Sequence, residues 1–378
     1  MIPVSEPDLG DSELDYVIDC VRSGWISSAG KYLDLFERKW AEYCGRRHGI
    51  AVSNGTAALQ IAARALDLTP GDEVIMPSFT IISCALAIIE TGATPVLIDS
   101  DPVTWGMDVA AIEAQITPRT RAIMVVHIYG HPVDMDPVLA LAARHGLRII
   151  EDAAEVHGAE YLSGRASPAP AWRRCGGFGD LSTFSFYANK IVTTGEGGMV
   201  LTDDDDLAAK LRSLRNLAFQ PARRFVHEEL GYNFRLTNLQ AAIGVAQIER
   251  IDGLIAAKRL MAARYTERLS GLRGLTVPTE QPWARHVYWM YGVVLDHGGE
   301  APARVIADRL KADGIETRPF FVGMHAQPVL RRLGLFEGES YPVTDHLATA
   351  GLYLPSSPSL TESKIDQITS ALARALAA

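Results

Sequence analysis

Arg121-Ala122-Ile123-Met124-Val125-Val126, then Met135 to His145, then Arg148-Ile149-Ile150-Glu151-Asp152-Ala153-Ala154-Glu155 is the stretch that decides the fold. A β-branched run, a helical run of amphipathic composition and a second β-branched run form one βα unit feeding the next strand. The first run is apolar from Ala122 to Val126, and the second centres on Ile149-Ile150, as expected of strands covered on both faces. The same alternation extends upstream. Strands are expected at Gly49–Val52, Glu73–Met76 and Pro95–Ile98, and helices at Thr56–Leu66, Ile82–Glu90 and near Val109–Ile116. This predicts an α/β fold around a mostly parallel sheet.

Downstream the rhythm changes. Ser182–Phe186 and Gly198–Thr202 read as strands with no full helix between them, so a local antiparallel excursion is expected. A helix follows at Asp204–Arg215, then an extended loop over 216–236. A long helical stretch runs from Asn238 to about Leu272, bent near Asp252-Gly253. Strands are then expected at Val287–Leu295 and Glu316–Arg318, with a helix at Pro302–Asp313 and short helices to the end. Proline suits the first turn of a helix, where no backbone donor is needed. Ser163–Gly177 has loop composition. The division expected is a large domain over 1–252, including the N-terminal helices, and a smaller C-terminal domain over 253–378.

The 378 residues are 48% hydrophobic and 21% charged, with a net charge of −9. An acidic chain without a basic stripe argues against nucleic acid as a partner. No uninterrupted apolar run is long enough for a bilayer; the best candidate, around Ile81–Ile89, is too short and reads as a buried helix. No signal peptide or membrane association is expected, which fits a cytoplasmic protein. Cys20, Cys44, Cys84 and Cys175 are widely spaced and form no CxxC pair, so reduced structural thiols are expected. No His/Cys cluster suggests a metal.

The chemistry-bearing candidates lie near predicted strand ends. Of the seven lysines, Lys31, Lys39, Lys210, Lys258, Lys311 and Lys364 sit among other charges in helical contexts and read as solvated helix faces. Lys190 instead leaves an apolar strand and enters Ile191-Val192-Thr193-Thr194-Gly195-Glu196-Gly197-Gly198. A desolvated lysine for Schiff-base chemistry and a lysine snorkelling from a strand end both fit these neighbours. Asp152 ends a parallel strand, where open α/β sheets bind ligands. It could pair with a protonated ring nitrogen or cap a helix. Ser53-Asn54-Gly55-Thr56-Ala57-Ala58 joins a strand to a helix and offers either an anion cradle or a plain Asn-Gly turn. Ser185 could add a hydroxyl to the same anion. The Gly195–Gly198 run lacks the strand-to-helix context of a dinucleotide loop. Together, a cradle, a strand-end acid and a downstream lysine are the components of a pyridoxal phosphate site.

These residues resemble the PLP-dependent nucleotide-sugar aminotransferases of the aspartate aminotransferase superfamily, fold type I. The resemblance spans nearly the whole chain. It is carried by Gly24-Trp25-Ile26-Ser27-Ser28, Ser53–Leu59, Pro70–Val74, Ile150–Glu155, Ser185–Lys190 and Gly231–Asn238, with Thr193–Met199, His286–Tyr291, Arg318–Phe321 and Met324-His325. It implies a seven-stranded large-domain sheet and a smaller α+β domain. It also implies that Lys190 holds the cofactor, pyridoxal 5′-phosphate, as a Schiff base and then shuttles a proton. Asp152 would pair with the pyridine nitrogen, and Gly55, Thr56, Ala57 and Ser185 would bind the phosphate. Glu155 would lie near the ring hydroxyl, and Ile81 would face the ring where many relatives carry an aromatic residue. Asn233 or Arg235 would reach the phosphate from the second subunit of a homodimer with shared sites. Trp25, Trp289, Arg318 and His325 would line the substrate pocket.

The reaction so implied moves an amino group from L-glutamate to a nucleotide-linked keto sugar, with the C4 ketone of GDP-4-keto-6-deoxymannose the expected acceptor. Alternatives are another keto sugar or cyclitol, a PLP sugar dehydratase, or a non-catalytic protein that senses PLP or sugar. Relatives with dehydratase activity replace the lysine by histidine, which Lys190 disfavours.

Overall fold

The computed structural model describes residues 1–220, 223–296 and 302–377. Helices α1 (Asp11–Ser23) and α2 (Lys31–Cys44) lead into β1 (His48–Val52) and α3 (Gly55–Ala65). Then come β2 (Glu73–Pro77), α4 (Ile82–Ile89), β3 (Thr94–Ile98), β4 (Thr120–Val126), α5 (Met135–His145) and β5 (Arg148–Asp152). After these come β6 (Glu160–Ser163), β7 (Ala171–Arg174), β8 (Leu181–Ser185), β9 (Gly198–Thr202), α6 (Asp205–Arg215), α7 (Asn238–Glu249) and α8 (Ile251–Leu269). The remainder is β10 (Leu275–Thr276), β11 (Ala284–Arg285), β12 (Tyr291–Leu295), α9 (Pro302–Ala312), β13 (Arg318–Pro319), α10 (Pro328–Arg332), α11 (Pro342–Ala350), β14 (Gly351–Leu354) and α12 (Glu362–Ala377).

The main sheet has seven strands in the order β1-β9-β8-β5-β4-β2-β3. Pairings from β3 through β2, β4 and β5 to β8 are parallel, while β9 is antiparallel to both β8 and β1. The expected excursion is therefore the single strand β9. Because β8 reaches β9 without a helix, its connection stays on the rim of the sheet, and Lys190 lies on it. Strands β2 and β9 are buried along their whole length, which explains their unbroken apolar runs. The carboxyl ends of β1, β2, β5 and β8 share one edge, where such sheets hold ligands.

A four-stranded antiparallel sheet, β10-β12-β14-β13, forms a second layer with α8, α9 and α12. Its core packs Met261, Tyr265, Val293, Leu310, Ile315, Leu352, Ile365 and Leu372, and it also takes in Ile2, which bridges to Ile315. No described helix is long and apolar enough to cross a membrane.

Several expectations need correction. The helix near Val109–Ile116 is two separate 3-10 turns, Val109–Ala111 and Glu113–Gln115. Thr117 precedes Pro118 and is thereby held out of the α region, so nothing continues the first turns. Ser163–Gly177 is not simply a loop. Strand β7 pairs antiparallel with β6, and β11 adds a third strand. Its polar sequence belongs to a surface ribbon whose arginines lie on aromatic faces: Arg174 over Tyr43, Arg173 over Phe178 and Arg285 over Trp172. The long helix breaks at Arg250, whose guanidinium is drawn to Asp8 and Glu13, rather than at Asp252-Gly253. The strand expected from Val287 begins only at Tyr291, because Tyr288 takes a left-handed backbone at φ +49°. Helix α4 is not fully buried; Ile82 and Leu86 expose one face beside Ile81. Finally, Lys258 is not on a solvated face but is buried.

Candidate active site

The site begins where β1 hands over to α3. The Asn54 side chain caps α3 by accepting from the Ala57 amide at 2.8 Å. A Cβ on Gly55 would stand 2.7 Å from the Ser185 Cβ, so only glycine lets α3 start this close to the end of β8. Thr56 reaches the first turn of α4, its hydroxyl 2.9 Å from that of Ser83. Hydroxyls from Thr56, Ser83 and Ser185 therefore surround the starts of two helices, a donor set suited to a phosphate dianion.

Asp152 lines the same cavity. One oxygen accepts from the Ala154 amide at 3.1 Å and the other from the Cys84 thiol at 3.4 Å. Burial pushes its carboxyl above the ordinary range, and those hydrogen bonds and the Lys190 charge counter it. No arginine or lysine forms an ion pair with it among the described residues. A buried carboxylate with weak donors suits a cationic ring N–H.

Lys190 lies on the turn after β8, closed by its own amide donating to the Tyr187 carbonyl at 2.9 Å. Its Nζ stands 3.6 Å from the centre of the Trp289 ring and 3.9 Å from a Glu155 oxygen. Burial lowers the affinity of this amine for its proton, and the charges of Glu155 and Asp152 partly restore it. Glu155 accepts from the Tyr129 amide at 2.7 Å; burial raises its carboxyl to about 7, against the pull of Lys190. Burial thus brings the proton affinities of the amine and the carboxyl closer together, and the pair can hold or pass one proton.

One cavity of about 650 Å³ brings Gly55, Thr56, Ala57, Ile81, Asp152, Glu155, Ser185, Lys190 and Trp289 together. That size suits a cofactor with part of a substrate. The cradle, the strand-end acid and the buried amine fit pyridoxal phosphate on donor chemistry. The other expected residues lie elsewhere in this chain. Asn233 is exposed, and Arg235 bonds Asn216 in a separate cleft with Arg212, Arg215 and Arg224. Trp25 is exposed beside Asp19, Lys31 and Asn238. Arg318 is exposed and paired with Glu316. His325 is buried between Ser78 and Asp345, at 2.8 and 2.9 Å.

The sequence reading missed Ser83, Asn189, Phe321 and Tyr353, which also line the cavity. Ser83 had a signal, a hydroxyl in the first turn of a helix after a parallel strand. Tyr353 had none, since it sits on a strand of the second sheet. Among the described residues, His127, Glu151 and Cys175 are clustered like metal ligands. The Glu151 oxygens, however, already accept from His127, the Gly176 and Phe178 amides and Ser182.

The chain is 46% identical over 376 residues to GDP-perosamine synthase of Caulobacter vibrioides, covering 99% of this chain and 98% of that protein. It is 40% identical to the Vibrio cholerae enzyme of the same name, covering 97% of each. The solved aminotransferase from Psychrobacter cryohalolentis superposes with a TM-score of 0.90 at 31% identity, covering 99% of each chain. The aminotransferase TlmJ from Streptoalloteichus hindustanus gives the same TM-score at 29% identity, covering 100% of this chain and 99% of that one. A family model matches residues 7–373, and the chain belongs to the DegT/DnrJ/EryC1/StrS aminotransferase family.

Proposed function

We propose that this aminotransferase uses pyridoxal 5′-phosphate to move the amino group of L-glutamate to the C4 ketone of GDP-4-keto-6-deoxymannose, producing GDP-perosamine. The observation that carries the reaction type is Lys190, Asp152 and the Gly55-Thr56 cradle on one cavity. Full-length similarity to two GDP-perosamine synthases supports the choice of sugar. The bound cofactor supplies an electrophilic carbon for the amine and an electron sink for the substrate carbanion.

The chain's own residues do the rest. Gly55, Thr56, Ala57 and Ser185 would anchor the phosphate, and Asp152 would keep the ring nitrogen protonated. Lys190 would hold the cofactor through Nζ, and its free amine would take and return the proton at the substrate carbon. Glu155, 3.9 Å from Nζ, keeps a carboxylate where that proton can be balanced. Ile81 covers one side of the cavity with an aliphatic surface, and Trp289 forms a wall beside Lys190. We read Asn233 and Arg235 as serving the phosphate of a second copy in a homodimer. The placement of Arg235 in an arginine-lined cleft outside this chain's cavity supports that reading. Trp25 and Arg318, both exposed, stand as candidate contacts for the nucleotide sugar, whereas His325 is buried with both ring nitrogens bonded. The four free cysteines fit a reducing compartment, and we read the enzyme as cytoplasmic.

The test is incubation of the purified, cofactor-loaded protein with glutamate and GDP-4-keto-6-deoxymannose, following 2-oxoglutarate and the amino sugar. Parallel reactions use UDP- and dTDP-linked 4-keto sugars. Turnover that survives Lys190→Ala would overturn the mechanism. Preference for a UDP or dTDP sugar would overturn the substrate.

A further inference from the structure

Lys258 is the buried lysine that the mechanism does not use. It lies in the middle of α8, 3% exposed, and among the described residues it forms no ion pair. Its Nζ donates to the Trp289 carbonyl at 2.7 Å and also to the Ser356 carbonyl. Those carbonyls come from two separate loops, one entering β12 and one leaving β14. An ammonium taken out of water without a counter-ion is costly. A methionine could fill the same volume, but only a donor can tie both carbonyls to one point.

Trp289 is the residue most affected by that tie. Its backbone follows Tyr288, which is in the left-handed region, and passes so close to Gly130 that a Cβ there would lie 2.6 Å from the Trp289 and Tyr288 nitrogens. Its indole N–H donates to the Asn189 carbonyl at 2.7 Å, immediately before Lys190. Its ring lies 3.6 Å from the Lys190 Nζ. One residue is thereby held at its carbonyl by Lys258 and at its indole by the turn that carries Lys190.

We propose that Lys258 is a positioning residue: by holding the Trp289 carbonyl it keeps the indole against the Lys190 amine. This rests on the reading of Lys190 as the catalytic group. A ring face favours the charged form of the amine, so slack in Trp289 makes Lys190 easier to deprotonate and its aim less defined.

The test compares Lys258→Met, Trp289→Leu and the double variant. In cofactor-free protein, the pH at which Lys190 becomes half-reactive toward an acylating reagent is read by mass spectrometry. It is expected to fall in both single variants, and no further in the double. With cofactor and glutamate, kcat is expected to fall on the order of tenfold to a hundredfold, the scale of a small misplacement, with a smaller change in KM. A Lys258→Met protein with wild-type Lys190 reactivity and kcat overturns the proposal, as do independent, multiplying effects of the two substitutions. If Lys258→Met does not fold, Trp289→Leu alone decides, because an unchanged Lys190 midpoint there removes the link. Failure of the wild-type protein to convert glutamate, or turnover by Lys190→Ala, would instead sink the functional reading.

Discussion

Asp152, which lines the cavity, shares a hydrogen bond with the buried Cys84, the thiol donating to a carboxylate oxygen 3.4 Å away. It brings a helix of the sheet's outer layer to bear on the acid at the end of β5. A thiol is a weak donor, so it orients the carboxylate while leaving it free for a cationic partner. Asp152→Asn keeps the shape but cannot hold a ring nitrogen protonated. A lost charge-assisted hydrogen bond of ~3 kcal/mol corresponds to about a hundredfold in rate. The glutamate half-reaction, measured by stopped-flow, should slow by at least that factor, while Cys84→Ser should remain within several-fold of wild type. A fully active Asp152→Asn protein would remove Asp152 from the site.

Gly55→Ala should damage cofactor affinity before it damages the fold. The added Cβ would meet Ser185 at 2.7 Å and push apart the two elements that form the cradle. Overpacking of this kind costs roughly 1–3 kcal/mol. Equilibrium dialysis should show about tenfold or weaker cofactor binding, with Thr56→Ser close to wild type. Unchanged affinity in Gly55→Ala would mean the phosphate lies elsewhere.

Burial pushes the Glu155 carboxyl up to about 7, so the folded protein binds a proton there that the unfolded chain releases near the ordinary value of 4.5. A raised acid stabilises the fold below 4.5 and loses that contribution as pH rises through about 7. In cofactor-free protein, urea unfolding of Glu155→Gln should lack this part of the decline. The same substitution removes a negative charge 3.9 Å from Lys190, so the lysine should lose its proton more easily. An upward shift in the Lys190 midpoint would contradict the arrangement.

Burial acts in the opposite direction on Lys258, lowering it to about 7 from an ordinary 10.5. Between those values the unfolded chain binds the extra proton, so this site's contribution to stability rises with pH, by about 1.4 kcal/mol per pH unit. Below 7 both states carry the proton and the contribution is flat. Denaturant unfolding at pH 6, 8 and 10 should show the rise in wild type and its loss in Lys258→Met. Parallel curves for the two proteins would show that Lys258 stays charged throughout.

Much of the sheet was legible because its determinants are local. The strands β2, β4 and β9 are built on apolar runs between turns, and α5 and α9 carry their amphipathic pattern in their own residues. Where the reading failed, the decisive partner was distant. The surface ribbon of β6 and β7 looks polar until Tyr43 and Phe178 are placed under its arginines. The helix break at Arg250 depends on Asp8 and Glu13 from the start of the chain.

The sequence by itself determined the chemical parts: a glycine-threonine helix start, an acid at a strand end and a lysine in a turn between two strands. Each is a short pattern whose backbone conformation follows from its own residues. Only the tertiary structure decided what those parts face. Trp289 reaches Lys190 from 100 residues beyond Asn189, held by a lysine whose sequence neighbourhood is that of an exposed helix face. Burial and electrostatic environment are set by what packs against a residue, and in a sheet built from crossover connections that is settled by chain far away.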